Sequence, residues 1–175
     1  GNIGPEQNSS DVSSPASIPG VIAVGAHGKS GDPWKDSATG SLTDPDTGQN
    51  RIFPNQKPEI IAPGVDLWSC IDSESDPPYA FSTGTSDSTV LVTGALALIL
   101  AIHGEQIAGD DGEIDEQEMR LVKVALANSA KKIAGQDQTH DHKRGYGLLD
   151  AAEWSAQIQQ EFGIGTEATD TADAK

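Results

Sequence analysis

The sequence has little cysteine and little positive charge. Its 175 residues include 1 Cys, so an internal disulfide is impossible and a small scaffold held together by bridges is excluded. Lys and Arg number 11 against 27 Asp and Glu, which gives a formal net charge of −16. Nucleic acids and anionic membrane surfaces bind positively charged footprints, so neither is expected as a partner. The length suits one domain.

Aromatic residues and long hydrophobic runs are also scarce. Aromatic side chains make up 5% of the chain and hydrophobic residues 35%, with 19 Gly and 10 Pro. This composition indicates a core of small aliphatic side chains joined by many turns. The uncharged stretch at residues 88–102 is shorter than the roughly 20 residues of a membrane-spanning helix, and it predicts a buried helix. Cys70 lies in an apolar run and is predicted to be a small buried side chain.

Short apolar runs alternate with helical patterns along the chain, which favours a layered α/β fold. Strands are predicted at 21–26, 59–62 and 65–71. Helices are predicted from residue 88 to about Gly104, after Asp115, and from about Asp150 to Glu161, with Trp154 and Ile158 facing inward. Residues 1–162 form the predicted domain. Residues 163–175 are small, polar and acidic, and we expect this tail to be disordered.

One short motif could carry chemistry. Gly84, Thr85 and Ser86 directly precede the uncharged helix, so a hydroxyl lies at a helix N-terminus, where unpaired N–H groups and the dipole favour negative charge. A serine in this position could attack a carbonyl and hold the resulting oxyanion. It could equally be a helix cap, because serine is common at cap positions. The local pattern leaves both interpretations open.

The wider context of that motif resembles the subtilisin-like serine peptidases. The matching segments follow the family's order and cover most of residues 1–152: GN at 1–2, PASIPGVIAVGA at 15–26, KPEIIAPG at 57–64, STGTSDSTVLVTG at 82–94 and GYGLLDA at 145–151. The resemblance implies the C-terminal half of a three-layer α/β domain, with a mostly parallel sheet flanked by helices. The fold would be incomplete in this chain.

The resemblance also implies roles for two residues. Ser86 falls at the position of the nucleophile, and Asn2 at the asparagine that helps to form the oxyanion hole. The family's catalytic Asp and His precede that asparagine, so both would lie outside this chain. The chain would therefore be part of a serine endopeptidase that hydrolyses peptide bonds through an acyl-enzyme, and in isolation it is expected to be inactive.

Two residues depart from the family pattern. Asp87 stands where the family has an apolar or small residue, and Val90 stands where it commonly has proline. A carboxylate beside Ser86 could oppose the negative charge that develops there. An alternative is therefore a non-catalytic, degenerate peptidase module with a binding or regulatory role.

The family resemblance implies a polypeptide substrate, a missing N-terminal part of the same domain as partner, and secretion to the extracellular space. The chemistry requires no cofactor, whereas structural calcium is possible and no metal site is assigned. The acidic excess is spread along the chain and suits a solvated surface, as in a salt-adapted source.

Several other candidates have plainer explanations. The segment 111–118 resembles the second half of a calcium loop, but Ile107 and Gly109 stand where oxygen ligands are needed, so it is predicted to cap the next helix. The trio at 140–142 (His-Asp-His) is predicted to be a polar surface loop. Asp46, His27 and His103 are predicted to lie in a turn, at a strand end and near a helix C-terminus, with no catalytic role.

Overall fold

The computed structural model describes residues 1–3, 11–136 and 138–165. In these ranges the elements are, in chain order, β1 (Val24–His27), β2 (Ile60–Pro63), β3 (Leu67–Cys70), β4 (Tyr79–Ser82), α1 (Thr85–Ala108), a short 3-10 helix (Gly109–Asp111), α2 (Glu116–Ser129) and α3 (Ala151–Glu161).

A parallel pair of strands lies at the centre. β1 and β2 pair in register from Val24 and Ile60 to His27 and Pro63, and Leu148 extends the pairing through a parallel bridge to Ile61. Both strands are almost continuously apolar and buried, as expected when a parallel sheet is covered on both faces. The first strand begins later than the predicted residue 21, because the carbonyl of Val21 accepts a bond from the Lys57 ammonium instead of pairing in the sheet.

β3 and β4 form a separate antiparallel hairpin. The apolar segment at 79–82 was not predicted as a strand, because it is too short to have a period of its own. Side chains alternate across a strand, so Leu67 faces inward while Trp68 and Cys70 face outward. The prediction that Cys70 is buried is therefore wrong: its thiol is exposed.

The central helix α1 is longer than predicted and is buried on one face only. It continues past Gly104 and ends before Gly109, whose φ of 64° stops the helix. Its core face packs against β1 and β2. The opposite face is apolar and exposed, and its large side chains are Val90, Leu91, Leu98 and Ile102.

An apolar circumference is typical of a helix that is covered on all sides. By length and composition alone, α1 could also cross a membrane. The prediction that this helix is buried is thus correct for half of its surface. His103 is buried in the core face, where its Nε2 lies 3.2 Å from Ser155 Oγ, so its predicted position near the helix end is wrong.

The two C-terminal helices agree with the predictions. The Asp115 carboxylate accepts the N–H of Gln117 and Glu118, and the Glu118 side chain accepts the N–H of Asp115, which makes a capping box at the start of α2. This confirms that the acidic loop caps a helix. On α3, Trp154 and Ile158 are fully buried, also as predicted.

The end of the described chain continues beyond α3. Ile164 donates its N–H to the Gln159 carbonyl at 2.8 Å, and its side chain packs against the core. Residues 166–175 of the predicted acidic tail lie outside the described residues, as do residues 4–10 of the N-terminal segment.

A buried cluster of charges ties α2 to β2 and the N-terminal segment. Glu59 lies 2.8 Å from the Lys57 ammonium and 2.7 Å from that of Lys123, and its second oxygen accepts the N–H of Ala23 at 2.8 Å. All three charged side chains are at most 2% exposed. Burial lowers the pKa of Lys57 to about 8, even though Glu59 acts to raise it.

We predict that Glu59→Gln strongly destabilises the fold. The substitution keeps the shape of the side chain but leaves two buried ammonium groups without a counter-charge, which costs about 3–5 kcal/mol of unfolding free energy. Urea unfolding followed by the fluorescence of buried Trp154 measures the loss. The matched control is Lys35→Gln, which breaks a pair whose lysine is 86% exposed and should change stability by less than about 1 kcal/mol. Equal effects of the two substitutions would contradict the prediction.

Candidate active site

Ser86 lies in the first turn of α1, and that turn is fixed to the end of β2. Gly84 donates its N–H to the Gly64 carbonyl at 2.8 Å. The buried Ser88 hydroxyl bonds the carbonyls of Ala62 and Pro63 at 2.9 and 3.0 Å. The helix therefore begins at the carboxyl end of a parallel strand, where sites in open α/β sheets usually form. Ser86 itself is exposed.

The end of the helix is capped from a distant part of the chain. Gly84 occupies the cap position and has no side chain to offer, so the interpretation of Ser86 as the helix cap is wrong. Asn2 supplies the missing acceptor: its Oδ1 accepts the N–H of Thr85 at 2.9 Å and the hydroxyl of Thr85 at 2.7 Å. Asn2 is positioned in turn by a bridge to Ser37.

These two bonds fix the orientation of the Asn2 amide. A backbone N–H can only donate, so the atom facing Thr85 must be the carbonyl oxygen of the amide. Nδ2 consequently lies on the other side, with its two N–H groups available as donors. The motif threonine was not identified as important from the sequence, although its place beside the serine was visible there.

Two donors converge beside Gly84. A Cβ on that glycine would lie 3.4 Å from Asn2 Nδ2 and 3.7 Å from the Ser86 backbone nitrogen. The N–H of Ser86 belongs to the first turn, where backbone donors have no partner within the helix. The absent side chain of Gly84 therefore leaves a small space next to two N–H donors. Such a pair can stabilise an oxygen atom that acquires negative charge.

A carboxylate borders the same space. Asp87 Oδ2 lies 3.5 Å from the position of that Cβ and accepts a hydrogen bond from the Ser82 hydroxyl at 3.0 Å. Asp87 and Ser86 also line a cleft of about 340 Å³ between α1 and β3. The remaining lining residues are Leu67, Trp68, Ser69, Val90 and Leu91.

Three histidines have ring nitrogens that contact groups other than Ser86. His27 ends β1, and its Nδ1 lies 2.7 Å from the Gly28 carbonyl. His103 contacts Ser155, as described above. His140 Nε2 lies 2.9 Å from the Pro58 carbonyl, and its ring meets Tyr146 edge-on at 4.9 Å. His140 is buried, so the predicted surface position is wrong for this residue, and burial lowers its pKa.

The acidic candidates are also accounted for. Asp46 lies in an exposed turn, as predicted, where its N–H bonds the Asp44 carboxylate at 2.9 Å. Asp141 accepts the N–H groups of Lys143 and Arg144. Within 1–3, 11–136 and 138–165, no three His, Cys, Asp or Glu side chains are grouped so that they could hold a metal ion.

The fold and the helix end together define an α/β protein with a serine at a helix N-terminus beside converging N–H donors. Comparison with known proteins makes the class specific: the sequence profile described as "Subtilase family" matches residues 1–147. The chain belongs to the subtilase family, and the predicted subtilisin-like α/β fold is confirmed.

Individual relatives agree with this assignment. The chain is 36% identical over 103 residues to subtilisin amylosacchariticus of Bacillus subtilis subsp. amylosacchariticus, which is 59% of this chain and 22% of that protein. It is 34% identical over 103 residues to the subtilisin of Bacillus pumilus, covering 59% of this chain and 31% of the relative. The chain thus spans less than a third of the length of these curated relatives.

Solved structures show the same fold. The prenylagaramide maturation protease PagA superposes with a TM-score of 0.58 at 28% identity, over 83% of this chain and 45% of PagA. The Clostridium perfringens CspB protease superposes with a TM-score of 0.62 at 22% identity, over 82% of this chain and 28% of CspB. The second likeness concerns the fold alone.

We predict that alanine lowers mainly the stability of the fold at Gly64 and mainly the reactivity of Ser86 at Gly84. These two glycines meet at the start of α1. In Gly64→Ala the new methyl would clash with Ser88 Oγ and would lie 2.7 Å from the Gly84 carbonyl oxygen, which costs about 1–3 kcal/mol of stability. In Gly84→Ala the contacts are 3.4 Å or longer, so the fold should lose less than about 1 kcal/mol, while the methyl fills the space beside the two donors.

Urea unfolding and the rate of labelling by a fluorophosphonate, measured on the full-length protein, separate these effects. Gly84→Ala should lower the labelling rate by at least about 10-fold at nearly unchanged stability. Normal labelling of a stable Gly84→Ala protein would show that the space is not used.

Proposed function

We propose that this chain is the nucleophile-bearing part of a serine endopeptidase. The full protein would hydrolyse peptide bonds through an acyl-enzyme formed on Ser86. The observation that carries the proposal is the convergence of Asn2 Nδ2 and the Ser86 N–H on one small space beside an exposed serine. Membership of the subtilase family supports the same assignment.

The proposed reaction has two acyl transfers. Ser86 Oγ bonds the scissile carbonyl carbon, the hydroxyl proton passes to a general base, and the carbonyl oxygen becomes negative between the two N–H donors. Collapse of this intermediate breaks the C–N bond, and the proton moves from the base to the leaving amine. Water then attacks the ester in the same way, releases the carboxylic acid and restores the serine hydroxyl.

The general base and its orienting acid come from outside this chain in our proposal. The uncovered face of α1 supports a missing partner, because exposed Leu98 and Ile102 lie on a helix face that is apolar although it is turned away from the core. The small share of the relatives that the chain spans supports an N-terminal part of the same domain as the element that covers this face.

The proposal extends to the substrate and the surroundings. Polypeptides are the expected substrates, in keeping with a relative named as a protease. An extracellular location follows by resemblance to the subtilisins. No cofactor takes part in the chemistry, and a structural calcium ion is proposed without assigned ligands.

The second candidate is a non-catalytic module with a binding or regulatory role. Asp87 favours it, because the Asp87 carboxylate borders the space in which an oxyanion would form. Like charges at such short range oppose each other. Activity of the full-length protein decides between the two functions.

We predict that the full-length protein reacts with a fluorophosphonate and cleaves peptides. Ser86→Ala should abolish labelling and lower turnover by about 10⁶-fold. Asn2→Ala should lower turnover by about 100- to 1,000-fold, because one oxyanion donor is lost. Ser30→Ala, at an exposed serine in a distant turn, is the matched control and should behave like the wild type. Absence of labelling in the wild type would favour the non-catalytic module.

We also predict that the isolated 175-residue chain hydrolyses almost nothing, since a serine hydroxyl is a poor nucleophile without a general base. Mixing the chain with a separately produced N-terminal part should restore labelling at Ser86. Rapid labelling of the isolated chain would contradict the need for a base from elsewhere.

A further inference from the structure

We propose that Asp87 makes the site select a substrate with a positively charged side chain, lysine or arginine, at a residue that flanks the scissile bond. The inference rests on the proposed function and names its substrate class. It is carried by one feature of the molecule: the Asp87 carboxylate lines the cleft beside Ser86 without a positive partner.

Asp87 is held in place but not neutralised. Its Oδ2 accepts the Ser82 hydroxyl at 3.0 Å, which fixes the rotation of the carboxylate. Among the described residues, no hydrogen bond reaches Oδ1, and no Lys, Arg or His forms an ion pair with Asp87. The carboxylate is partly exposed, so a cation entering the cleft can reach it.

The cleft also matches the rest of a long cationic side chain. Leu67, Val90 and Leu91 line it with apolar surface, and such surface accommodates the methylene stem of lysine or arginine. Trp68 lines it as well and is 61% exposed, and an indole face attracts an ammonium or guanidinium group. The volume of about 340 Å³ leaves ample room for one such side chain.

The position of Asp87 connects charge selection to the reaction. Its Oδ2 borders the same space as Asn2 Nδ2 and the Ser86 N–H, so the carboxylate repels the oxygen that becomes negative during acyl transfer. A positive substrate side chain paired with Asp87 cancels this repulsion. Substrates with that charge should therefore react faster, by at least about 10-fold at low ionic strength.

The apolar lining of the cleft also suits one competing occupant. Val90 and Leu91 continue into the uncovered face of α1, so the missing part of the domain could fill the cleft in place of a substrate. Charge complementarity favours the substrate, because the cleft pairs its apolar walls with an unneutralised carboxylate. The experiment below separates the two occupants.

The test uses the full-length protein and two sets of three fluorogenic peptides, which carry lysine, methionine or glutamate before the scissile bond in one set and after it in the other. In one of the two sets the ratio of kcat/KM for lysine over methionine should be about 10 at 50 mM salt and fall towards 1 at 1 M salt, where screening shortens the range of the charge to about 3 Å. The glutamate peptide should be the poorest of the three.

Asp87→Asn keeps the acceptor for Ser82 and removes the charge, so it should bring the lysine-to-methionine ratio close to 1. Asp87→Glu should retain a preference for lysine. Glu113→Gln, which removes one exposed charge before α2, is the matched control and should leave the ratio unchanged.

The outcomes are distinct. A wild type that cleaves the three peptides of each set equally, or a preference for lysine that survives Asp87→Asn, overturns the inference while the proposed function stands. An Asp87→Asn protein that unfolds at a clearly lower urea concentration, with no change in the ratio, assigns the cleft to a structural contact and also overturns it. A wild type that cleaves no peptide and takes no fluorophosphonate overturns both proposals.

Discussion

The arrangement of the site depends on one side-chain amide. Asn2 Oδ1 accepts two hydrogen bonds from Thr85, and these bonds join the first residues of the chain to the start of α1, 83 positions later. They cap the helix, they set the direction in which Nδ2 points, and they bring that nitrogen beside the Ser86 N–H. Hydroxyl and backbone donors on one threonine thus determine where a charged oxygen could be stabilised.

The helix start is held equally firmly on its other side. Ser88 bonds two carbonyls at the end of β2, and Gly64 allows the backbone of Gly84 to approach closely. The sequence motifs KPEIIAPG and GTS therefore form one structural unit, in which the end of β2, Gly64 and the N-terminus of α1 meet. The buried cluster around Glu59 fixes the other end of the same strand to α2.

Much of this architecture was predictable from the sequence, and the exceptions have physical causes. Capping residues and inward apolar positions located α2 and α3, because Asp115, Trp154 and Ile158 act locally. Cys70 was wrongly predicted as buried, since its apolar neighbours say nothing about which face of a two-stranded hairpin meets the core. His140 and His103 were misplaced because their partners, Pro58 and Ser155, are distant in sequence. The capping of α1 by Asn2 is likewise a contact over long range, which no local pattern contains.

The exposed side of α1 has a consequence for how the polypeptide matures. An exposed apolar stripe runs along this helix of 24 residues and consists of Val90, Leu91, Leu98 and Ile102. Water solvates such a stripe poorly. Whenever this stripe is uncovered, it would attract other incompletely folded chains. The net charge of −16 opposes such aggregation through repulsion between chains. The acidic composition and the exposed apolar face of α1 therefore have opposite effects on the solubility of the same molecule.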